Sequence, residues 1–301
     1  NTYKLEIGNI SLQQGKFTLN QGVEGLAYRN NSKTKKGLFV SHTSLGRTKT
    51  AKEGTNYRTL LINGGLNWQY SHKNNIYKNL IYTLDYVKTV DDSNSIIKKN
   101  GLNARENDVI ATEIKVELLD NLKFNGEFAI SYYTEGTQNL AGNALSMSAD
   151  KKFINSSGSI DIKAVSPGFR SLSGSGNPDT FNVSGYYNQK LSSRLNLTAG
   201  MNYYQDNIEQ TKAVTTTSSN INLAMILKPF KDNNWKQFVY IPRINYTHNL
   251  KDDNSTKKSI YNINNTITTS FARWQFIFRY NPNISYDILE PDNNILGQNY
   301  Q

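Results

Sequence analysis

Cysteine is absent from the 301 residues, proline occurs 6 times and histidine 3 times. Without a thiol there is no disulfide framework, no thiolate metal site and no cysteine nucleophile. Large extracytoplasmic proteins fold without disulfides, so this absence leaves the compartment open. Scarce proline leaves long stretches free to enter β-ladders, whose interiors exclude it. No run approaches the about 20 consecutive apolar residues that a spanning helix needs, which excludes a helical membrane protein. Hydrophobic residues make up 37% of the chain, and the mean hydropathy is −0.61. Those values suit a soluble protein and a transmembrane β-barrel equally, because only alternate residues of a barrel strand face lipid.

Catalytic signatures are missing too. There is no P-loop and no G-x-S-x-G. His42, His72 and His248 lie far apart in sequence, without partners at metal-ligand spacing. They read as surface or rim histidines. No enzymatic activity, cofactor or metal is expected.

Tyrosine (19) and phenylalanine (12) are plentiful, and aromatic residues favour strands. The net charge is +10. Its lysines are scattered through asparagine-rich segments such as 29–36 and 251–258. A nucleic-acid binder would gather them into one footprint, so nucleic acid is not an expected partner.

The clearest pattern runs over residues 109–133. Ile110, Thr112, Ile114, Val116 and Leu118 fall on one side, and Ala111, Glu113, Lys115 and Glu117 on the other. Asp120-Asn121 interrupts. Leu122, Phe124, Phe128, Ile130 and Tyr132 then alternate with Lys123, Asn125, Glu127, Ala129 and Ser131. A period of two fits strands, whose successive side chains point to opposite faces. Asp-Asn tolerates the left-handed backbone of a tight turn. The segment predicts an antiparallel hairpin with one apolar and one charged face.

Similar hairpins recur, giving about fifteen strands of about ten residues, the length of a tilted bilayer crossing. Short polar turns are expected at 72–75, 120–121, 155–157, 192–194, 231–234 and 272–273. Long loops are expected at 88–107, 135–142, 166–180, 205–217 and 249–258. Turns and loops alternate, so a meander places all turns at one end and all long loops at the other. The N-terminal region, with Gly8-Asn9 as a break and a strand over 17–28, is less regular, as is the polar tail 281–301.

This pattern, spread over about residues 57–280, resembles bacterial outer-membrane β-barrel proteins of the porin-like kind. The resemblance implies an all-β, antiparallel up-and-down transmembrane barrel of about 14–16 strands. It would be one domain over 1–301, with short periplasmic turns and long external loops. The expected location is the bacterial outer membrane, with the lipid bilayer as partner. Two features depart from such barrels: the chain does not end on a strand closing with an aromatic residue, and the strand count is odd. Either a weak strand is hidden near the N-terminus or residues lie beyond the ends. The chain begins at Asn1 without an apolar signal segment, which reads as a mature chain or an internal fragment.

If the apolar face meets lipid, the lumen receives Asp85, Glu113, Lys115, Glu117, Lys123, Glu127, Asp161, Lys163, Arg194, Arg243, Gln275 and Arg279. Trp68, Tyr70, Tyr132, Tyr203, Trp235 and Trp274 fall near strand ends, where amphipathic aromatics gather at membrane interfaces. Charges of both signs suit a wet interior that tunes the passage of solutes, and equally a solvated face of cross-strand ion pairs. Glu113 and Glu117 are about 13 Å apart on one strand, too far for a glycosidase pair. Lys115 between them points to ion pairing. Asp91–Ser95 and Asp252–Thr256 are oxygen-rich but lack EF-hand spacing, and read as solvated loops. In 165–170 (VSPGFR), Phe169 is expected either to fold into the lumen or to mark an interface.

The leading expectation is a channel passing small solutes, narrowed by loop 88–107 or 166–180. The alternatives are a non-transporting, structural or partner-binding outer-membrane barrel within a larger complex, and a soluble β-rich surface adhesin.

Overall fold

The computed structural model describes residues 2–300 apart from 35–36, 53–54, 71–76, 98, 100, 119–120, 211, 228–234, 252–256, 272–273 and 288–294. Side chains are not described over 235–239, 257–264, 269–271, 274–279, 281–287 and 295–300. Strands dominate, and no helix occurs among the described residues. They are β1 (Thr2–Gln13), β2 (Asn20–Thr34), β3 (Gly37–Lys49), β4 (Arg58–Tyr70), β5 (Tyr77–Asp92), β6 (Arg105–Leu118), β7 (Leu122–Glu135) and β8 (Gln138–Lys152). Then follow β9 (Ser156–Val165), β10 (Thr180–Lys190), β11 (Leu195–Asp206), β12 (Thr216–Leu227), β13 (Trp235–Lys251), β14 (Lys257–Phe271), β15 (Trp274–Asp287) and β16 (Ile295–Tyr300).

The strands follow one another in chain order as an antiparallel up-and-down sheet. Closure into a barrel would require the first and last strands to share a ladder. Among the described residues they do not: β1 pairs only with β2 and β16 only with β15. The sheet is therefore not closed.

Several boundaries differ from the expected ones. β1 runs through Gly8-Asn9, with Gly8 opposite Gly25, so the ladder overrides the local break. β2 begins at Asn20 rather than 17. The expected loop 135–142 is a turn of Gly136 and Thr137, because β8 already starts at Gln138. Its polar residues form ladder bonds as well as apolar ones do. The long connection after β5 shrinks to 93–104, and the tail contributes β16, paired with β15 from Tyr280↔Tyr300 to Ser285↔Ile295. Among connections whose residues are all described, the odd-to-even ones 14–19 and 166–179 are longer than the even-to-odd ones 153–155 and 191–194, in the expected sense, and Gly136-Thr137 is the exception. Asn121 takes φ 59° in the anticipated tight turn. The expected turns 72–75, 231–234 and 272–273 and the segment 252–256 lie outside the described residues.

The chain divides into two compact units: Asn1–Ala149 with Lys163–Thr180, and Asp150–Ile162 with Phe181–Gln301. In the first unit the two faces of the sheet are inverted relative to a water-soluble sheet. Leu60, Ile62, Leu66, Trp68, Leu84, Ile110, Ile114, Phe128 and Ile130 are all exposed. Asn63, Thr83, Asp85, Glu113, Glu127 and Ser131 are buried.

The buried apolar residues of this unit sit on the polar face. One cluster joins Phe17, Val109, Ala111, Ala129, Ala144, Val165 and Phe169. A second joins Leu19, Val23, Leu61 and Val87. Phe17 lies on the β1–β2 connection and Ala129 on β7. Five strand spacings separate β2 from β7, about 24 Å along a flat sheet. Yet the Phe17 amide is 2.9 Å from Glu127 of β7. The sheet of this unit therefore curves around its polar face.

In the second unit Tyr187, Met201, Ile221, Leu223 and Ile244 are all exposed. None of the buried apolar side chains among the described residues belongs to it.

Candidate functional site

Alternation decides which residues meet on the polar face of the first unit. Asp85 follows Thr83 by two on β5, and Glu113 follows Ala111 by two on β6. The antiparallel register then sets Thr83 opposite Glu113 and Glu113 opposite Glu127. Three carboxylates thus stand on one face of three consecutive strands, with relative exposures of 3% for Asp85, 8% for Glu113 and 3% for Glu127. Burying charges at this density without partners would be prohibitive. Each has a partner. Lys115 Nζ reaches Glu113 Oε2 at 2.8 Å, the pairing that its position between Glu113 and Glu117 suggests. His42 Nε2 stands 3.1 Å from Asp85 Oδ1. Glu127 accepts the backbone N–H of Lys16 at 2.7 Å and of Phe17 at 2.9 Å.

The His42–Asp85 contact crosses an intervening strand. His42 of β3 is in register with Gly65 of β4, and Gly65 with Asp85 of β5. A Cβ on Gly65 would lie 2.1 Å from Asp85 Oδ1 and 2.6 Å from His42 Nε2. Only glycine leaves room for the two side chains to meet.

Beside these residues lies a cavity of about 340 Å³ lined by Gln14, His42, Asn63, Asn67, Asp85, Glu113 and Lys115, among others. Gln14 and Asn63 exchange two amide hydrogen bonds at 2.8 Å each across it. The wall offers oxygen acceptors and cationic donors together, a surface that solvates polar molecules of either charge.

Two connections fold onto this face. The β1–β2 connection brings Phe17 and Thr18 to complete burial. The β9–β10 connection, residues 166–179, brings Phe169 against Phe17, edge to face at 5.6 Å between ring centroids. Phe169 is fully buried. The connections also bond to each other. Ser173 Oγ donates to Thr18 O at 2.7 Å, Asn20 N to Ser173 O at 2.9 Å, and Ser175 N to Lys16 O at 2.9 Å. The second connection is tied to the wall by Arg170 N donating to Ser131 Oγ (2.9 Å), Leu172 N to Asn107 Oδ1 (3.0 Å) and Asn107 Nδ2 to Arg170 O (3.0 Å).

The other residues proposed from sequence are placed as follows. Lys163 is half-buried, with Nζ 5.3 Å from the centroid of the Phe17 ring. Glu117 is half-buried and opposite an exposed Lys123. Asp161 is exposed on β9, and Arg243 is exposed on β13 opposite Ala224. Arg194 lies in the β10–β11 turn, off any strand face, where its N–H donates to Ser192 Oγ at 3.1 Å. Gln275 and Arg279 are on β15, and their side chains lie outside the described residues. Trp68 and Tyr132 are exposed, and Trp68 meets Tyr70 edge to face at 5.9 Å. Tyr203 packs on Phe181 at 6.3 Å. Trp235 and Trp274 open β13 and β15, again without described side chains.

His42 is the correction among the histidines: it lies within the sheet, its side chain 18% exposed, rather than at a rim. Its strand-period position on the polar face was the available signal. His72 lies outside the described residues. The oxygen-rich segment Asp91–Ser95 is tied down by the protein itself. The Asp91 side chain is fully buried and accepts Thr59 Oγ1 at 2.6 Å and Arg105 Nε at 2.8 Å.

No protein-family model, no curated protein and no solved structure matches the chain.

Proposed function

We propose that this chain is the wall of a bacterial outer-membrane β-barrel that passes small polar solutes along its charged inner face. One observation carries the reading: on β4 to β7 the large apolar side chains of one face, among them Leu60, Leu84, Ile114 and Phe128, are exposed while Asp85, Glu113 and Glu127 of the other face are buried. In water such a continuous apolar face drives association. Against hydrocarbon it is the stable arrangement, and the buried polar face then lines an aqueous interior. A bilayer admits a sheet only when its edges are paired. In the membrane β1 and β16 therefore find partner strands, in each other or in a partner protein. Solutes diffuse past Asp85, Glu113, Lys115 and His42, narrowed by the 14–19 and 166–179 connections.

One observation favours a second reading. The two connections fold onto the polar face of the first unit, as they would in a non-conducting barrel that serves as a structural or partner-binding component. Planar-bilayer recording separates the two. Steady ohmic steps from purified, folded protein support the passage, and a folded, silent protein leaves the partner-binding barrel. A protein that stays folded and monomeric without detergent would contradict both.

A further inference from the structure

The two connections on the polar face of the first unit are fastened in an unequal way. Residues 166–179 bond to neutral groups of the wall, Ser131 and Asn107. The β1–β2 connection is held by a charge: both Glu127 carboxylate oxygens accept main-chain N–H groups from consecutive residues, Lys16 and Phe17. Charge-assisted bonds of this kind are about twice as strong as neutral ones. The approach is built in. A Cβ on Gly15 would lie 2.5 Å from Glu127 Oε1, so the chain carries no side chain where the carboxylate must enter. The two connections then lock to each other through Ser173–Thr18 and the Phe17–Phe169 contact.

We propose that Glu127 is a latch. Its hold on Lys16 and Phe17 keeps the β1–β2 connection folded on the polar face, that connection retains 166–179, and release of Glu127 frees both and uncovers the wall. This deepens the proposed passage by giving it a closed and an open state, and it rests on that reading only for its consequence in transport.

Absence of cysteine makes a direct test clean. Thr18→Cys and Ser173→Cys place single thiols on the two buried connections, the latter keeping a weak S–H donor toward Thr18 O, and Ile97→Cys places a control thiol at a residue that is 91% exposed. Labelling by a small, charged thiol reagent reads the population of the open state. In the Glu127→Ala background both buried thiols should label on the order of 10- to 100-fold faster, with the control unchanged. Glu127→Gln keeps the shape and one acceptor, and should give a smaller acceleration of both. It also provides the test if Glu127→Ala fails to fold. Equal labelling of Thr18→Cys with and without the Glu127→Gln substitution overturns the latch. Acceleration at Thr18→Cys with Ser173→Cys still protected overturns the coupling of the two connections. Bilayer recording of the same variants reads the passage separately: accelerated labelling in silent bilayers keeps the latch and removes transport.

Discussion

His42 and Asp85 meet at 3.1 Å across the bare backbone of Gly65, although they belong to strands that are not neighbours. The preceding glycine has a different environment. A Cβ at Gly64 would find its nearest neighbour, the His42 carbonyl oxygen, at 3.9 Å.

Gly65→Ala should therefore destabilise the fold by about 1–3 kcal/mol, because the methyl displaces the Asp85 and His42 side chains. Gly64→Ala should be neutral or stabilise by up to about 1 kcal/mol, since glycine within a strand carries an entropic cost. Urea titration of the two variants measures the contrast.

Arg105 should matter more than its position at a strand end suggests. It is the cation for the fully buried Asp91 carboxylate. Arg105→Ala leaves that charge unpaired and should cost about 3–5 kcal/mol. Both Asp91 oxygens are occupied by protein donors. Millimolar Ca²⁺ should accordingly leave the melting temperature unchanged, as thermal denaturation with and without the ion would show.

The Phe17–Phe169 contact joins two connections that are far apart in sequence. Truncating either ring to alanine should cost about 3–5 kcal/mol. A double-mutant cycle should return a coupling of about 0.5–1.5 kcal/mol for the edge-to-face pair. Additive losses would mean that the rings are buried independently.

What the sequence made legible was local and periodic. The alternation over 109–133 carried the antiparallel β6–β7 hairpin, the Asn121 turn, and the separation of Ile114 and Phe128 from Glu113 and Glu127. Composition misled where polar residues form strands. Segment 138–142 (QNLAG) mixes polar residues and glycine with only two apolar residues, yet belongs to β8, because a ladder needs backbone donors rather than apolar side chains. The local pattern likewise places Phe17 in a strand. Its actual role depends on Glu127, 110 residues away, and no periodicity reports a contact of that range. His42 meets Asp85 only because Gly65 lies between them, a relationship that needs the registers of three strands.

Substitutions on the two faces should diverge. Arginine at Ile114 or Phe128, 41% and 42% exposed, should destabilise by about 2–4 kcal/mol in a bilayer. A water-facing residue of that exposure would stay within about 0.5 kcal/mol. Polar-face alternation alone would mark Glu127→Arg as tolerated. The two amide bonds and 3% exposure of Glu127 predict instead a marked loss of stability. Folding titrations in lipid vesicles give all three values.

The exposed apolar face is the centre of the account, and the cysteine-free chain lets it be probed directly. Single spin labels at Leu84, Ile114, Phe128 and Lys115 in lipid-reconstituted protein can be compared for collision with oxygen, which concentrates in hydrocarbon, and with a water-soluble nickel chelate. Leu84, Ile114 and Phe128 should be oxygen-rich and shielded from nickel, while Lys115 should be open to nickel. Nickel reaching Ile114 and Phe128 as freely as Lys115 would contradict the membrane-facing assignment.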